Sequence, residues 1–163
     1  MGFWLPQVSK EYGGLGLSLE QHGEVSEILG ASPYGFYVFN CQAPDAGNME
    51  VLIETGTEEQ KKQYLQPLLE GKIRSCFAMT EPQYAGSNPT RMGTTAKKEN
   101  GSYIINGHKW FTSSFDGANF AIVMVVTDPE GEDVHKKASQ IIVPLKTEGV
   151  EFVRNVSIMG HPG

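Results

Sequence analysis

Phe77-Ala78-Met79-Thr80-Glu81-Pro82-Gln83-Tyr84-Ala85-Gly86-Ser87 is the stretch on which the reading of this chain turns. A short apolar run leads into Thr80-Glu81-Pro82 and must end there, because proline has no amide hydrogen with which to continue a central ladder. Gly86 then allows the backbone to approach a neighbouring group closely, and Ser87 places a hydroxyl at that point. Taken alone, the segment is a strand followed by a turn made of ordinary turn residues. Read with Trp110-Phe111-Thr112 downstream, it becomes a cradle: backbone, hydroxyls and a large aromatic plane in one arrangement.

Working outward, the chain changes character near Gly71 to Arg74, with helix-like patterning before and strand-like patterning after. Residues 1–72 are expected to form part of a helical domain and residues 73–163 a β domain. Ser18-Leu19-Glu20-Gln21 predicts a capping box opening a helix that runs to Leu29. A second helix is expected over Ala43 to Thr55, stopped by Gly56. A third starts at Thr57, with Glu58, Glu59 and Gln60 in its first turn and Tyr64, Leu65, Leu68 and Leu69 on its apolar face. The glycine-rich Tyr12-Gly13-Gly14-Leu15-Gly16 matches neither a dinucleotide fingerprint nor a Walker pattern, so a loop is preferred over a phosphate site.

In the second half, Asn100-Gly101 lies between Gly93-to-Lys98 and Tyr103-to-Asn106 and predicts a tight hairpin. Asn106-Gly107 offers a further turn or bulge. Phe120 to Thr127 and Gln140 to Leu145 are β-branched apolar runs expected to be core strands, and Val150 to Val156 a further strand. The fold class expected is α+β: an N-terminal helical segment followed by a mainly antiparallel, β-barrel-like domain.

Composition excludes several classes. The 163 residues are 39% hydrophobic and carry a formal charge of -6, without a long basic run, which argues against nucleic acid. No apolar run approaches the length of a membrane span and the N-terminus lacks a signal-peptide pattern, so a soluble, intracellular protein is expected. Cys41 and Cys76 have neither a disulfide framework nor a metal spacing around them, and Cys76 is expected to be a packed thiol rather than a nucleophile. His22, His108, His135 and His161 are scattered outside any metal-ligand pattern, and no metal site is predicted.

The order Ala78-Met79-Thr80-Glu81-Pro82, Gly86-Ser87, Gly101, Tyr103-Ile104-Ile105-Asn106-Gly107 and Lys109-Trp110-Phe111-Thr112 resembles the middle β domain of the acyl-CoA dehydrogenases. Gly56 to Lys62 and Leu65 to Gly71 resemble the helix before that domain. Phe39-Asn40-Cys41-Gln42-Ala43-Pro44-Asp45 through Glu50 resembles the branch that includes long members fused to kinase-like domains. The resemblance covers nearly the whole chain and implies FAD as cofactor. It assigns cofactor contacts to Phe77, Ala78, Met79, Thr80, Gly86, Ser87, Trp110, Phe111 and Thr112.

Within that assignment, Thr80 reaches the polar end of the isoalloxazine and Ser87 faces both pyrophosphate and the acyl-CoA substrate. Trp110 covers a ring face, and Thr112 places its hydroxyl near N5. Implied with them are α,β-dehydrogenation of an acyl-CoA, an electron-transfer flavoprotein or other acceptor, and a homo-oligomer. The compartment implied is cytoplasmic in a bacterium and organellar in a eukaryote. The base is a glutamate of the helical bundle that follows the β domain, expected beyond Gly163, so the chain reads as a fragment without that bundle and inactive by itself. Glu81 is expected to be structural or solvent-facing, and His161 to serve a turn. A related flavin oxidase and a noncatalytic flavin- or partner-binding remnant are the alternatives. The extra residue in Gln83-Tyr84-Ala85, Asn88 after Gly-Ser, and Ser113-Ser114 depart from the common family pattern.

Overall fold

Local capping starts the helices where the sequence places them. The Ser18 side chain accepts from the Gln21 N–H while the Gln21 side chain reaches back to the Ser18 N–H, opening α1 (Leu19–Leu29). Two elements follow, α2 (Gly35–Val38) and α3 (Asp45–Thr55), and the same reciprocal cap, Thr57 with Gln60, opens α4 (Glu58–Gln60). The continuous third helix expected from the sequence is interrupted. Lys61–Leu65 widens into a π turn before α5 (Gln66–Leu69). Pro67 supplies the reason: it has no N–H for the carbonyl one α turn back, and its ring would press on that carbonyl, so the wider turn relieves both problems.

The computed structural model describes residues 3–86 and 88–160. Two compact units divide the chain, the first ending at Ser75 and the second starting at Cys76. In the first, Leu5, Val8, Met49, Leu52, Leu65, Leu68 and Leu69 form the core, each large side chain contributing about 1.5–3 kcal/mol of apolar burial. The Trp4 indole N–H donates to the Leu69 carbonyl at 2.8 Å, and the buried Asn40 amide donates to Leu68 and Leu69, so α5 ends on satisfied carbonyls. The glycine-rich loop serves packing: a Cβ on Gly14 would run into the Val8 carbonyl. Asp45, at the start of α3, is buried and accepts from the Ser75 N–H and hydroxyl (2.7 and 2.5 Å) and from Gln42 (2.6 Å), and it pairs with Arg74 at 3.1 Å.

The second unit holds β2 (Thr95–Glu99), β3 (Ser102–Asn106), β4 (Phe120–Val126) and β5 (Ala138–Pro144), together with most of β1 (Ser75–Ala78). Their order is β1-β4-β2-β3, with β5 also on β4. The β2–β3 hairpin is antiparallel from Thr95↔Asn106 to Glu99↔Ser102, turned by Asn100 and Gly101 at φ of 49° and 83°. β4 and β5 pair antiparallel from Phe120↔Pro144 to Val126↔Ala138.

Two expectations are corrected in this unit. Among the described residues the sheet is open rather than barrel-like, because β2 meets β4 only at Thr95↔Val126, in parallel, and then diverges. The strand expected over Val150 to Val156 does not form. Phe152 instead stacks on Phe115, with centroids 5.5 Å apart and planes at 17°. β-branched sequence there finds no ladder to join, and strand propensity without a partner does not make a strand. β4 carries the core through Phe120, Ala121, Ile122 and Val125, whereas β5, expected as a core strand, is only half-buried. Cys76 is fully buried, with its thiol directed at the Phe120 carbonyl, and Cys41 and Cys76 are not joined in a disulfide.

Candidate functional site

β1 ends at Ala78 with Phe77 half-buried and Ala78 buried, and the chain leaves the sheet through Met79 and Thr80. Thirty residues later, Trp110 is fastened to this exit by a reciprocal pair of bonds. The Trp110 N–H donates to the Thr80 carbonyl at 3.0 Å, and the Thr80 hydroxyl donates to the Trp110 carbonyl at 2.8 Å. The two cradle segments picked out in the sequence are thereby brought side by side. The hydrogen of the Thr80 hydroxyl is already committed to the chain, so toward a ligand this oxygen offers its remaining lone pair.

Gly86 folds back over Thr80 closely enough that a Cβ would sit 2.8 Å from the threonine methyl. No larger residue fits that approach without displacing Thr80. Beyond Trp110, Phe111 adopts φ of 49°, a left-handed conformation that costs a bulky residue energy, and its ring lies 4.7 Å from the Trp110 ring at 58°. Phe111 is 46% exposed and Trp110 half-buried, so the pair presents aromatic surface. The Ser113 N–H donates to the Phe111 carbonyl at 3.0 Å, which places the half-buried Thr112 at the tip of a three-residue turn. Ser87 and His161 lie outside the described residues.

Behind these segments lies an ionic anchor. Glu81 is 3% exposed, which corrects the solvent-facing half of its expected role. Its carboxylate accepts from the Gly93 N–H at 2.5 Å, the Thr94 N–H at 2.9 Å and the Lys109 ammonium at 2.8 Å. Lys109 also donates to the Met79 carbonyl at 2.8 Å. Burial pushes the Glu81 carboxyl up, but the hydrogen bonds from Lys109, Thr94 and the Gly93 amide outweigh it and hold the pKa at about 2. Burial draws Lys109 below the ordinary lysine value, and the bond it donates to Glu81 restores only part of it. Gly107 is needed beside this anchor, because a Cβ there would overlap the Thr94 side chain.

Sequence reading missed Lys109 as part of this arrangement. The signal available was a lysine directly before an aromatic segment, where burial demands a counter-charge. A groove of about 330 Å³ lies elsewhere, where β2 and β4 diverge, with Lys97, Lys98 and Tyr103 on its wall and none of the cradle residues.

The residues suit a flat, hydrogen-bonding cofactor such as a flavin. Aromatic surface at Trp110 and Phe111 adjoins hydroxyl-bearing residues, and Gly86 keeps a side chain out of the approach to Thr80.

Comparisons with known proteins follow the same division of the chain. Residues 1–72 match the description "Acyl-CoA dehydrogenase, N-terminal domain" and residues 76–163 match "Acyl-CoA dehydrogenase, middle domain". Acyl-CoA dehydrogenase family member 10 of Mus musculus is 45% identical over 153 residues, covering 93% of this chain and 14% of the relative. A solved structure from Mycobacterium abscessus, described among the acyl-CoA dehydrogenases, superposes with a TM-score of 0.93 at 41% identity, covering 98% of this chain and 39% of that one. A glutaryl-CoA dehydrogenase of Mycobacterium smegmatis, solved in complex with FADH2, gives a TM-score of 0.71 at 28% identity, covering 91% and 36%. The chain spans well under half the length of these relatives.

Proposed function

Because the chain belongs to the acyl-CoA dehydrogenase family, we propose that its second unit holds FAD along Phe77–Thr80, Gly86, Ser87 and Trp110–Thr112. In this reading it serves the α,β-dehydrogenation of an acyl-CoA thioester. The observation that carries the proposal is the reciprocal Thr80–Trp110 bonding, which unites two segments of the cradle. The chemistry that FAD supplies when bound is acceptance of a hydride from the β carbon of the acyl-CoA while the α proton leaves, so that a trans-2-enoyl-CoA is formed.

The chain's own residues bind and orient. Trp110 and Phe111 offer π surface to a planar ring and exclude water from it. Thr112, raised on its turn, is the hydroxyl suited to donate to an acceptor atom of the ring system, and Thr80 contributes an acceptor lone pair. Glu81 does not take the α proton. A carboxylate held at a pKa of about 2, enclosed by three donors, has too little proton affinity and no open approach. In the family reading the base is a glutamate other than Glu81.

By the same family reading, electrons pass to an electron-transfer flavoprotein or comparable acceptor, and the whole protein works as a homo-oligomer. Among the described residues, no helix is long and apolar enough to cross a membrane.

The test is a visible-absorption titration of the protein with FAD, following the flavin band and the quenching of tryptophan fluorescence. Saturable binding that weakens in Trp110→Phe and Thr80→Ala supports the proposal. A folded protein that leaves the free-flavin spectrum unchanged overturns it.

A further inference from the structure

We propose that the buried Glu81–Lys109 pair is the positioning device of the flavin cradle, holding the Met79–Thr80 exit and the Trp110–Thr112 segment in one fixed register. This rests on the FAD reading above and deepens it. The two groups are 3% and 10% exposed at the side chain and 2.8 Å apart. An isolated charge in such a place is costly, so both must be there for a shared purpose or be replaced together.

The bonding pattern shows what that purpose is. Lys109 immediately precedes Trp110, and its ammonium reaches across to the carbonyl of Met79, which immediately precedes Thr80. This bond runs parallel to the reciprocal Thr80–Trp110 bonds and locks the same two segments one residue earlier on each. Glu81, one residue past Thr80, holds Lys109 and simultaneously takes the N–H groups of Gly93 and Thr94, just before β2. A single carboxylate thus ties three stretches of chain together: 79–81, 93–94 and 109. The first contains the cradle residues Met79 and Thr80, and the last adjoins Trp110.

Neither group is needed to explain sheet formation. The β2–β3 and β4–β5 ladders pair through their own backbones, and Glu81 and Lys109 lie in neither. The pair acts where backbone pairing has ended. It also bears on Phe111, whose left-handed backbone persists only if its neighbours on the chain are fixed. Lys109 fixes the residue before Trp110, and the Thr80 bonds fix Trp110 itself.

Charge-assisted bonds of this kind have both geometric specificity and strength. A glutamine at position 81 cannot reproduce them. Its carboxamide has one acceptor oxygen for the three donors now divided between two, and its NH₂ would face an N–H or the ammonium whichever way it turned. A methionine at position 109 removes the ammonium but keeps both backbone donors, Gly93 and Thr94, facing Glu81, and Lys109→Arg separates loss of the charge from loss of the side chain.

The experiment uses the intact protein with Lys109→Met, Glu81→Gln, Lys109→Arg and, as a surface control, Lys136→Met, whose parent side chain is exposed. Two readouts are taken: near-ultraviolet circular dichroism of the flavin-free protein, reporting the aromatic pair, and the dissociation constant and visible circular dichroism with added FAD. Lys109→Met is expected to lose much of the aromatic signal with far-ultraviolet spectra unchanged, and to bind FAD about tenfold more weakly. Lys109→Arg, which keeps the ion pair, is expected to recover most of both.

A Lys109→Met protein with native aromatic dichroism and native FAD affinity would overturn the proposal, as would an effect equalled by Lys136→Met. Should Glu81→Gln or Lys109→Met not fold, the double variant Glu81→Gln/Lys109→Met, which strands no charge, decides the matter by the same two readouts. A wild-type protein that binds no FAD overturns the flavin reading, while the flavin-free dichroism of Lys109→Met separately decides whether the pair sets the register.

Discussion

Acidification should destabilise the second unit in a range set by Glu81. In the folded chain its carboxyl is held at about 2, against an ordinary value of 4.5, by the Lys109 ammonium and by donors at positions 93 and 94. The folded pKa lies below the unfolded one, so the unfolded state takes up the proton first. The contribution is complete well above pH 4.5 and is lost as pH falls through that value toward 2. At about 1.4 kcal/mol for each tenfold change in proton affinity, the full contribution is on the order of 3 kcal/mol. Roughly two-thirds of it is gone by pH 3. Because Glu81 is only 3% exposed, solvent screening does not reduce the figure greatly. The assay is urea unfolding of wild type and Glu81→Gln, followed by tryptophan fluorescence between pH 7 and pH 2.5. The stability difference between them should be largest near neutrality and shrink by about 2 kcal/mol by pH 3. A difference that stayed constant with pH would refute the reasoning, since the carboxylate's charge would then contribute nothing to folding.

Other residues give simpler expectations. Asp45→Asn places an NH₂ against the Ser75 N–H or the Arg74 guanidinium in a buried site, and should lower the stability of the first unit by about 2–3 kcal/mol, read from the urea midpoint. Gly107→Ala inserts a methyl group into the Thr94 side chain and should cost about 1–3 kcal/mol in thermal unfolding; an unchanged melting temperature would show that the two segments separate readily. Gly101→Val sets a β-branched residue at φ of 83° in the β2–β3 turn and should destabilise by at least about 1 kcal/mol, whereas Gly23→Ala, inside α1 where a Cβ meets nothing, should stabilise by about 0.5–1 kcal/mol.

The parts of the fold legible in the sequence were those fixed by neighbours along the chain. Ser18 with Gln21 and Thr57 with Gln60 announce helix starts because both members of each cap lie within one turn. Asn100-Gly101 announces its hairpin because the turn's backbone angles favour those residues. What was lost depended on partners elsewhere. Val150 to Val156 has strand-like composition but no ladder beside it, and closure of the sheet could not be judged from Thr95, whose pairing with Val126 bridges thirty-one positions. The π turn was missed although Pro67 is visible, because proline shows where an α-helix is disturbed without showing whether the chain kinks, stops or widens.

The site shows the same division in sharper form. Thr80, Gly86 and Trp110 were legible as candidates from residue type and order, yet their usefulness depends on being held together. The holding group, Glu81, shows in the sequence only as a structural or solvent-facing member of the Thr-Glu-Pro turn. Its meaning lies 28 positions away in Lys109, a distance over which sequence pattern carries no register. Had Glu81 faced solvent, Lys109 would have been buried without its counter-charge, and the arrangement would have been unstable enough to turn the lysine outward. Burial of one therefore implies burial of the other, and a buried pair must fix whatever backbone each member also bonds. For Lys109 that backbone is Met79, and the next residue on either side is a cradle residue. The ion pair is thus best understood through the two segments it aligns.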